Sequence, residues 1–524
     1  MVGEGVIGTM SKISLLCDLS MSNKFELSDL VGQIDRDAQA SVTAQLAEAF
    51  IAAIEDGRLE PGAKLPPTRE LAAAAGVNHL TAARVYKRLA EDGYVSAQVG
   101  RGTFVRLRAT AVAAEVDSDE WQQYVLPDRQ ASYAQQVHLE AYHNPFEPDV
   151  LSLAVGWPNP DTLPTDDLAR IAADVFREER GDALSYLSAE GLPALRVELA
   201  ARGREAGFAT DADEIIVTSG ARQGIDLVVR TLVRAGDVVA IESPTFTGAL
   251  ASLHAAGARV IGVPFDEDGV DVEAFERIIA RHEVKLLFLQ TACQNPTGRD
   301  IAPDRRARLV ELARERSFFI VDDGVYANLR FEGDPFPRMR AAAPDHVIYL
   351  DSLSKTVGGG LRVGWMAASG PVRPRLAALK AESDVHTSSL DQHIAARYLQ
   401  SGAHERLLAR VMPYYRERRD ALLEALAEHL AGEYTAPYPI GGHHAWVTLT
   451  RRIDEQALRT EALRHGVTYI PGGAAVAQPT GRTSMRLSFP LLTPDELREA
   501  VRRLARATES VRRRAGLAAT AAPS

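Results

Sequence analysis

Six short apolar runs, each separated from the next by a helix-length segment, cross the middle of this chain. Between Glu214 and Ser352 they read EIIVTS, DVVAIES, RVIGVPF, VKLLFLQ, FFIVDD and HVIYLDS. Runs that are apolar throughout, rather than at every second residue, predict strands buried on both faces. Their alternation with helices therefore predicts a mostly parallel sheet covered by helices on both sides. Farther on, HHAWVTL and SMRLSFP predict strands of a smaller C-terminal α+β subdomain.

A different pattern occupies residues 40–108. VTAQLAEAFIAAIEDG has apolar residues at helical spacing and stops at Gly57. A second helix is expected from a cap at Thr68 to Gly76, and a third from a cap at Asn78 to Gly93. YVSAQVGRGTFVRL then alternates apolar and polar residues about a Gly-Arg-Gly tip, which is typical of a two-stranded ribbon. Three helices followed by a ribbon predict a winged helix-turn-helix domain.

Length and composition set further limits. A chain of 524 residues with 46% hydrophobic and 25% charged residues is expected to form two or three globular domains. We expect an N-terminal extension without order at 1–39, the winged helix at 40–108, a linker at 109–148, the α/β domain at 149–510 and a flexible tail at 511–524. The two cysteines, Cys17 and Cys293, have no metal-ligand spacing. They predict reduced thiols, no metal and a cytoplasmic protein. Because no apolar stretch approaches the length needed to cross a bilayer, we expect no membrane partner.

Charge is distributed unevenly along the chain. The formal net charge is -11, which argues against a general affinity for nucleic acid. Between Lys64 and Arg108, however, eight lysines and arginines face three acids. This local excess of positive charge favours double-stranded DNA as a partner of the winged helix. A winged helix that binds protein is the alternative.

Polar groups follow the predicted strands at their carboxyl ends, where open α/β sheets bind ligands. Lys355 stands in DSLSKTVGGGLRVGW directly after a buried run, an unusual place for a lysine. The other candidates at strand ends are Gly220, Ala221, Phe246, Asn295, Asp323, Tyr326, Ser352, Ser354 and Arg362. Together they supply an amine for a Schiff base, a carboxylate for a pyridine nitrogen, a ring to stack on and donors for a phosphate. This set predicts pyridoxal 5'-phosphate as the cofactor.

These motifs resemble those of the fold type I, class I aminotransferases. The corresponding segments are SLAVGWPNP, LSYLSAEG, TSGARQG, ESPTF, NPTG, DDGVY, SLSKTVGGGLRVG and MRLSF, in family order over roughly residues 150–510. The resemblance implies that Lys355 forms the Schiff base, that Asp323 pairs with the pyridinium and that Phe246 stacks on the ring. Tyr326 and Asn295 would bond the ring oxygen. The phosphate would be held by Ser352, Ser354, Arg362 and the amides near Gly220 and Ala221, joined by Tyr186 from a second subunit of a homodimer.

The resemblance also implies an effector or substrate site. Arg486 would bind a ligand carboxylate, with Gly156 beside it. Arg222 stands where relatives often carry glutamine, so it adds a charge near the ligand. Taken singly, each of these residues has a structural alternative: Asn295 could belong to a plain turn, and Phe246 to the core. His443 and His444 are expected to be structural or to line the pocket.

The segment from Asp56 to Val105 resembles the winged-helix domain of GntR-type regulators. The positions that would contact DNA are Arg69, then Asn78, His79 and Thr81 at the start of the third helix, and Gly100 with Arg101 at the wing tip. A winged helix, a linker and an aminotransferase-like body, in that order, resemble the MocR family of regulators.

Two functions remain open from the sequence. In the first, which we favour, the chain is a transcription regulator whose DNA binding is modulated by an amino compound, expected to carry a carboxylate, or by pyridoxal phosphate itself. In the second, it is an active aminotransferase with an accessory DNA-binding domain. Whether the site catalyses repeated transamination is left undecided. A DNA-binding protein with an inactive body is disfavoured because Lys355, Asp323 and Arg486 are all present.

Overall fold

The structure is a computed structural model that describes residues 27–32, 34–36, 38, 40–60, 62–98, 102–106, 132–143, 149–208 and 210–516. The chain divides into two compact units after Gln130. Each unit has its own hydrophobic core.

The N-terminal unit contains the helices Leu27–Val31, Val42–Glu55, Thr68–Ala75 and His79–Glu91. Two strands follow, β1 (Val95–Gln98) and β2 (Gly102–Val105), which pair antiparallel. The winged helix-turn-helix plan is therefore confirmed.

Local chemistry sets the boundaries of these helices. The Asn78 side chain accepts a hydrogen bond from the Thr81 backbone N–H at 2.7 Å and so caps the third helix of the winged fold. Gly76 ends the preceding helix in a left-handed conformation, with φ of 63°. Thr68 is not the cap that the sequence suggested: it is the first helical residue, and Pro67 at the N-cap position makes no side-chain capping bond.

Helix Leu27–Val31 lies within the range expected to be an extension without order. Its Leu30 is fully buried in the core of the N-terminal unit. A helix of five residues is marginally stable by itself. Burial of its apolar face in the core therefore explains why this segment is helical although no order was expected.

The larger unit is built on an eight-stranded sheet, which a short strand precedes in the chain. These strands are β3 (Leu151–Ser152), β4 (Ile215–Thr218), β5 (Val238–Ser243), β6 (Arg259–Asp266), β7 (Gly269–Val270), β8 (Val284–Leu289), β9 (Phe319–Asp323), β10 (Val347–Ser352) and β11 (Gly364–Ala367). The order in the sheet is β4-β11-β10-β9-β8-β5-β6-β7. Five neighbouring strands, β10, β9, β8, β5 and β6, pair in parallel. All six predicted strands of this region are present.

Strand β11 was not expected from the sequence. It runs antiparallel between β4 and β10, directly after the glycine-rich segment that follows Lys355. At four residues, GWMA carries too little periodicity to be recognised alone.

Helices cover this sheet and form much of the C-terminal part. They are Tyr133–His143, Thr165–Glu178, Pro193–Glu205, Ala221–Leu232, Thr247–Ala255, Val272–Ile279, Pro303–Arg316, Val372–Asp384, Ser389–Gln400, Ala403–His429, Glu455–Arg464 and Pro494–Arg514. The last helix continues past residue 510, where a flexible tail was expected, because Val511 and Arg512 are buried.

The strands of the C-terminal subdomain are β12 (Tyr434–Thr435), β13 (His444–Leu449), β14 (Val467–Thr468), β15 (Ile470–Pro471) and β16 (Ser484–Ser488). Four of them form an antiparallel sheet in the order β12-β13-β16-β15, and the short β14 pairs with β3. The predicted strands HHAWVTL and SMRLSFP correspond to β13 and β16.

Helix Tyr133–His143 lies within the range that the sequence suggested was a linker. It belongs to the larger unit, where Ala134 and Val137 are buried and the Tyr133 hydroxyl donates to Glu455 Oε1 at 3.0 Å. The helix has little amphipathic pattern of its own, so its place depends on the surface that receives it.

Candidate functional site

Lys355 lies at the end of a short 3-10 turn, Leu353–Lys355, that follows β10. Its Nζ donates a hydrogen bond to the backbone oxygen of Gly156 at 3.0 Å. Burial lowers the pKa of Lys355 to about 8, and the Arg486 and Arg362 guanidinium groups add to this while Asp323 opposes it. A larger fraction of the amine is therefore neutral near physiological pH than for an exposed lysine, as a nucleophile requires.

Asp323 and its neighbour Asp322 point to opposite sides of the sheet, as successive strand residues do. Asp323 lines the same cavity as Lys355, and its Oδ2 accepts a hydrogen bond from Gln290 Nε2 at 2.8 Å. Burial raises its pKa to about 6, although the Gln290 bond opposes the increase. Asp322 instead accepts from the Thr291 hydroxyl at 2.9 Å, away from the cavity. The structure therefore distinguishes the two carboxylates: Asp323 lines the cavity and Asp322 does not.

Gln290 is a residue that sequence reasoning missed. It ends the run VKLLFLQ, and its side chain joins two predicted residues: Nε2 bonds Asp323, and Oε1 accepts from the Asn295 backbone at 2.6 Å. Its position at the end of a strand was the signal that could have identified it.

Tyr326 has a partner that the sequence did not assign. Its hydroxyl shares a hydrogen bond of 2.9 Å with His444 Nε2, and His444 Nδ1 lies 2.9 Å from Ser488 Oγ. Burial, Arg486, His443 and Lys355 keep the pKa of His444 well below its usual value, so the ring is neutral. His444 lines the cavity, as expected, and in addition orients Tyr326.

An anion cradle lies at the start of helix Ala221–Leu232. Gly220 precedes this helix with φ of 89°, a backbone conformation that a side chain would strain. Arg362 Nη2 donates to Ser219 O at 2.6 Å, and the Ser352 and Ser354 hydroxyls are 2.9 Å apart. A helix N-terminus, two hydroxyls and a guanidinium have the donor chemistry that a phosphate requires.

Phe246 forms one wall of the cavity and begins helix Thr247–Ala255 at its N-cap. Gly248 makes room beside it. A Cβ built at Gly248 would lie 2.4 Å from Phe246 Cζ and 2.1 Å from Arg222 Nη1. The absence of a side chain at this glycine therefore allows Arg222 to lie against Phe246 at the edge of the cavity.

Arg486 is buried and reaches the cavity from β16. Its Nη2 donates to Ala154 O at 2.6 Å, and Nη1 lies 3.4 Å from Asn295 Oδ1. Gly156 lies near it, where a Cβ would come within 2.4 Å of His444 Cε1. The guanidinium thus lies among the residues that line the Lys355 cavity.

The predicted residues of this unit converge on one cavity of about 410 Å³, with a single exception. Its lining includes Gly156, Gly220, Ala221, Arg222, Phe246, Asn295, Asp323, Tyr326, Ser352, Ser354, Lys355, Arg362 and Arg486. Tyr186 is the exception: it is 87% exposed and packs edge-on against His386. The residues present fit pyridoxal phosphate, since they provide an amine, a carboxylate, an aromatic wall and an anion cradle.

The N-terminal unit places four of its predicted contact residues on and before two helices. Arg69, Asn78 and His79 are exposed, and Thr81 is half-buried. The Thr81 hydroxyl lies 2.9 Å from Asn78 Oδ1, so these two side chains are bonded to each other. Leu80, which sequence reasoning did not select, is 69% exposed between them. Gly100 and Arg101 lie outside the described residues.

A search of the described helices finds none with the length and apolar character needed to span a bilayer.

Comparison with protein families matches two parts of the chain. Residues 148–504 match "Aminotransferase class I and II", and residues 42–105 match "Bacterial regulatory proteins, gntR family". The order of the two matches is the order of the two units described above.

Known proteins match over most of the chain. It is 27% identical to the "Probable rhizopine catabolism regulatory protein MocR" of Rhizobium meliloti, over 90% of this chain and 94% of the relative. It is 29% identical to the "HTH-type pyridoxine biosynthesis transcriptional regulator PdxR" of Corynebacterium glutamicum, over 77% and 82%. Among solved structures, the multiple substrate aminotransferase of Thermococcus profundus matches with a TM-score of 0.69 and 32% identity, covering 75% of this chain and 98% of that one.

Proposed function

The chain belongs to the class I and II aminotransferase family and carries a gntR-family domain N-terminal to it in the sequence, as regulators of the MocR type do. We therefore propose that this protein is a pyridoxal phosphate-dependent transcription regulator. A small amino compound, or the cofactor itself, binds the aminotransferase-like unit and changes the affinity of the winged helix for DNA.

The observation that carries the proposal is that Lys355 and Asp323 both line one cavity. Pyridoxal phosphate, when bound, supplies an aldehyde for an amine and a ring that withdraws electrons. Lys355, with its pKa lowered to about 8, is the amine that reacts. Asp323 is the carboxylate that holds a proton on the pyridine nitrogen, and Gln290 holds Asp323 in place.

Further residues bind the remaining parts of the cofactor. Phe246 would stack on the ring, while Tyr326 and Asn295 would donate to the ring oxygen. The start of helix Ala221–Leu232 would hold the phosphate, because backbone N–H groups and the helix dipole there favour a negative charge. The residues that would contact it are Gly220, Ala221, Ser352, Ser354 and Arg362.

The effector is a small amino compound that carries a carboxylate. Arg486 binds this carboxylate beside Gly156, and the burial of Arg486 makes a charged partner favourable. Arg222, at the edge of the cavity, influences which amino compounds are accepted. The names of the two similar regulators refer to rhizopine catabolism and to pyridoxine biosynthesis. Such relatives are thus associated with the metabolism of small molecules.

Tyr186 points to a homodimer. Its side chain and that of Leu184 are 87% and 69% exposed, an unusual degree for large apolar residues so close in sequence. A second copy that covers this surface brings Tyr186 to the phosphate of its partner's cofactor. Tyr186→Phe is expected to weaken cofactor retention, whereas Leu184→Asp is expected to yield monomers.

The winged helix binds double-stranded DNA. Arg69, Asn78, His79 and Thr81 are the contacts of the two helices, with Gly100 and Arg101 at the wing. For an effector to change this binding, it must favour one of two conformations of the dimer that differ in DNA affinity.

Lys355→Ala tests the proposal. Borohydride reduction of cofactor-loaded protein is expected to attach the cofactor to the wild-type chain, as seen by mass spectrometry, and not to the variant. In a footprint on its own upstream region, the wild type is expected to respond to cofactor and candidate amines, while the variant still binds DNA without responding. Attachment of the cofactor to the variant would contradict the assignment of Lys355.

The completeness of the site supports a second candidate, an active aminotransferase with an accessory head. Lys355, Asp323 and Arg486 all line the cavity, as an enzyme would require. Multiple-turnover amino transfer from a panel of amino acids to keto acids, in the absence of DNA, separates the two. Sustained turnover favours the enzyme, and a single round or none favours the regulator.

A further inference from the structure

A second cavity, of about 570 Å³, lies behind the turn that carries Lys355. Asp351, Leu353 and Thr356 line this cavity, while Ser354 and Lys355 line the first. Among the described residues, Ser352 alone lines both. One segment of six residues, 351–356, therefore contributes to the walls of both cavities.

Two buried ionisable side chains, Arg338 and Asp351, lie in the wall of the second cavity, and burial raises the pKa of Asp351 to about 7. Arg338 and Asp351 are 6% and 4% exposed. The Tyr349 hydroxyl donates to Asp351 Oδ2 at 3.0 Å, and Tyr349 also lies near Arg338. Within the part of the chain that the structure describes, Arg338 Nε has no hydrogen-bond partner. Such a buried donor is costly unless a ligand satisfies it.

Another part of the wall is apolar. Phe208, Trp365 and Leu353 are buried there, and Leu408 and Met412 are half-buried on helix Ala403–His429. Arg338 and Asp351 lie close enough to interact with each other. A zwitterion with an apolar side chain would place an opposite charge beside each of these groups and would fill the apolar part of the cavity.

We propose that this cavity is a second ligand site, which binds a free amino acid with an apolar or aromatic side chain. The ligand carboxylate is held by Arg338 and its ammonium group by Asp351. This site is distinct from the one that holds the effector against Arg486, and its binding reaction does not depend on the proposed regulatory function.

A ligand here is coupled to the Lys355 turn at two points. The first is Asp351, whose Oδ1 accepts from the Ser352 backbone at 2.7 Å. The second is His404, which lies 3.2 Å from Arg202 Nη1 through Nδ1 and 3.3 Å from Thr356 Oγ1 through Nε2. Because arginine only donates, Nδ1 accepts and Nε2–H donates to Thr356, the residue after Lys355. This coupling, unlike the binding, rests on the proposed function.

Calorimetry on the full-length chain tests the site. Borohydride-reduced, cofactor-loaded protein is titrated with L-phenylalanine, L-leucine and L-tryptophan, and with 3-phenylpropionate and phenethylamine, which lack the ammonium and the carboxylate. Reduction makes the bond between the cofactor and Lys355 irreversible, so an added amino acid cannot displace Lys355 from the cofactor in the first cavity. We expect at least one of the amino acids to bind once per chain, at least tenfold more tightly than the two phenyl analogues. No binding by any of the three amino acids would overturn the proposal.

Variants locate the binding. Arg338→Gln and Asp351→Asn are each expected to weaken it at least tenfold, whereas Arg375→Gln, an exposed arginine that lines neither cavity, should leave it unchanged. Met412→Trp fills the cavity from its half-buried edge and leaves both charges in place, so it serves if the charge variants do not fold. Binding that survives Met412→Trp places the ligand elsewhere and refutes the site.

The same samples separate this proposal from the proposed function. Mass spectrometry of the reduced protein reports whether Lys355 carries the cofactor, and the fluorescence of the attached cofactor reports coupling. Binding without cofactor attachment supports the second site and contradicts the proposed function. Cofactor attachment without amino-acid binding contradicts the second site and supports the proposed function.

Discussion

The side-chain amide of Gln290 donates a hydrogen bond of 2.8 Å to Asp323 Oδ2. Both residues are buried, and the other end of the same amide accepts from the Asn295 backbone at 2.6 Å. Gln290 therefore fixes the position of the Asp323 carboxylate relative to the turn that begins at Asn295.

Gln290→Leu is expected to remove this bond and raise the pKa of Asp323 above about 6. A hydrogen bond to a charged group contributes about 1.5–3 kcal/mol, so cofactor affinity should fall by roughly 10- to 100-fold. Fluorescence titration with pyridoxal phosphate measures the change. Gln400→Leu, at an exposed glutamine, is the control, and equal affinities in the two variants would exclude the positioning role.

The rate of cofactor capture is expected to rise with pH through about 8, the pKa of Lys355. Below this pH the amine is protonated and does not attack the aldehyde. Compared with an ordinary lysine of pKa about 10.4, roughly 250 times more of the amine is neutral at pH 7. Stopped-flow absorbance gives the midpoint. Arg486→Gln removes a nearby positive charge, so it should move the midpoint upward, and a downward shift would contradict this origin.

Gly248→Ala is expected to disturb the wall of the cofactor cavity. Its Cβ would lie 2.4 Å from the Phe246 ring, which must move. Overpacking of this kind costs about 1–3 kcal/mol, and the loss should appear as weaker cofactor binding and a lower Tm. Gly181→Ala is the matched control, because a Cβ there meets nothing within 4 Å. If Gly248→Ala binds the cofactor as tightly as the control, the space beside Phe246 does not require glycine at this position.

Two substitutions at Asn78 separate folding from DNA binding. Asn78→Ala loses the bond to the Thr81 backbone and should destabilise the N-terminal unit by about 1 kcal/mol. Asn78→Asp keeps an acceptor at the helix N-terminus and should retain stability, but its negative charge opposes the DNA phosphates. Thermal unfolding and a DNA titration measure the two effects. Tight DNA binding by Asn78→Asp would place the phosphates away from this helix start.

Leu80 is expected to contribute an apolar contact to DNA, such as one with a thymine methyl group. Leu80→Ser should change stability by less than about 0.5 kcal/mol, because the side chain is 69% exposed. Specific DNA affinity should fall by about 1 kcal/mol, or roughly fivefold. Leu139→Ser, at a residue that is 60% exposed on the larger unit, is the control. Unchanged discrimination between specific and random DNA would remove Leu80 from the interface.

The sequence by itself determined the order of the units, the six buried strands and the residues at their ends. These are local properties: apolar runs identify strands, and polar groups directly after them identify the edge where ligands bind. Asp323 and Lys355 stand at or just after two of these apolar runs, so the sequence alone identified both as candidate site residues. The tip at Gly100 and Arg101 stays a prediction.

Only the tertiary structure decided which side chains touch across long separations in sequence. His444 lies 118 residues from Tyr326 and bonds its hydroxyl, and Arg338 and Asp351 come to line one cavity with Met412. Strand β11 and helix Tyr133–His143 likewise carry weak local patterns and are fixed by the surfaces that receive them. Packing energy arises from contacts between distant segments, and no local periodicity records it.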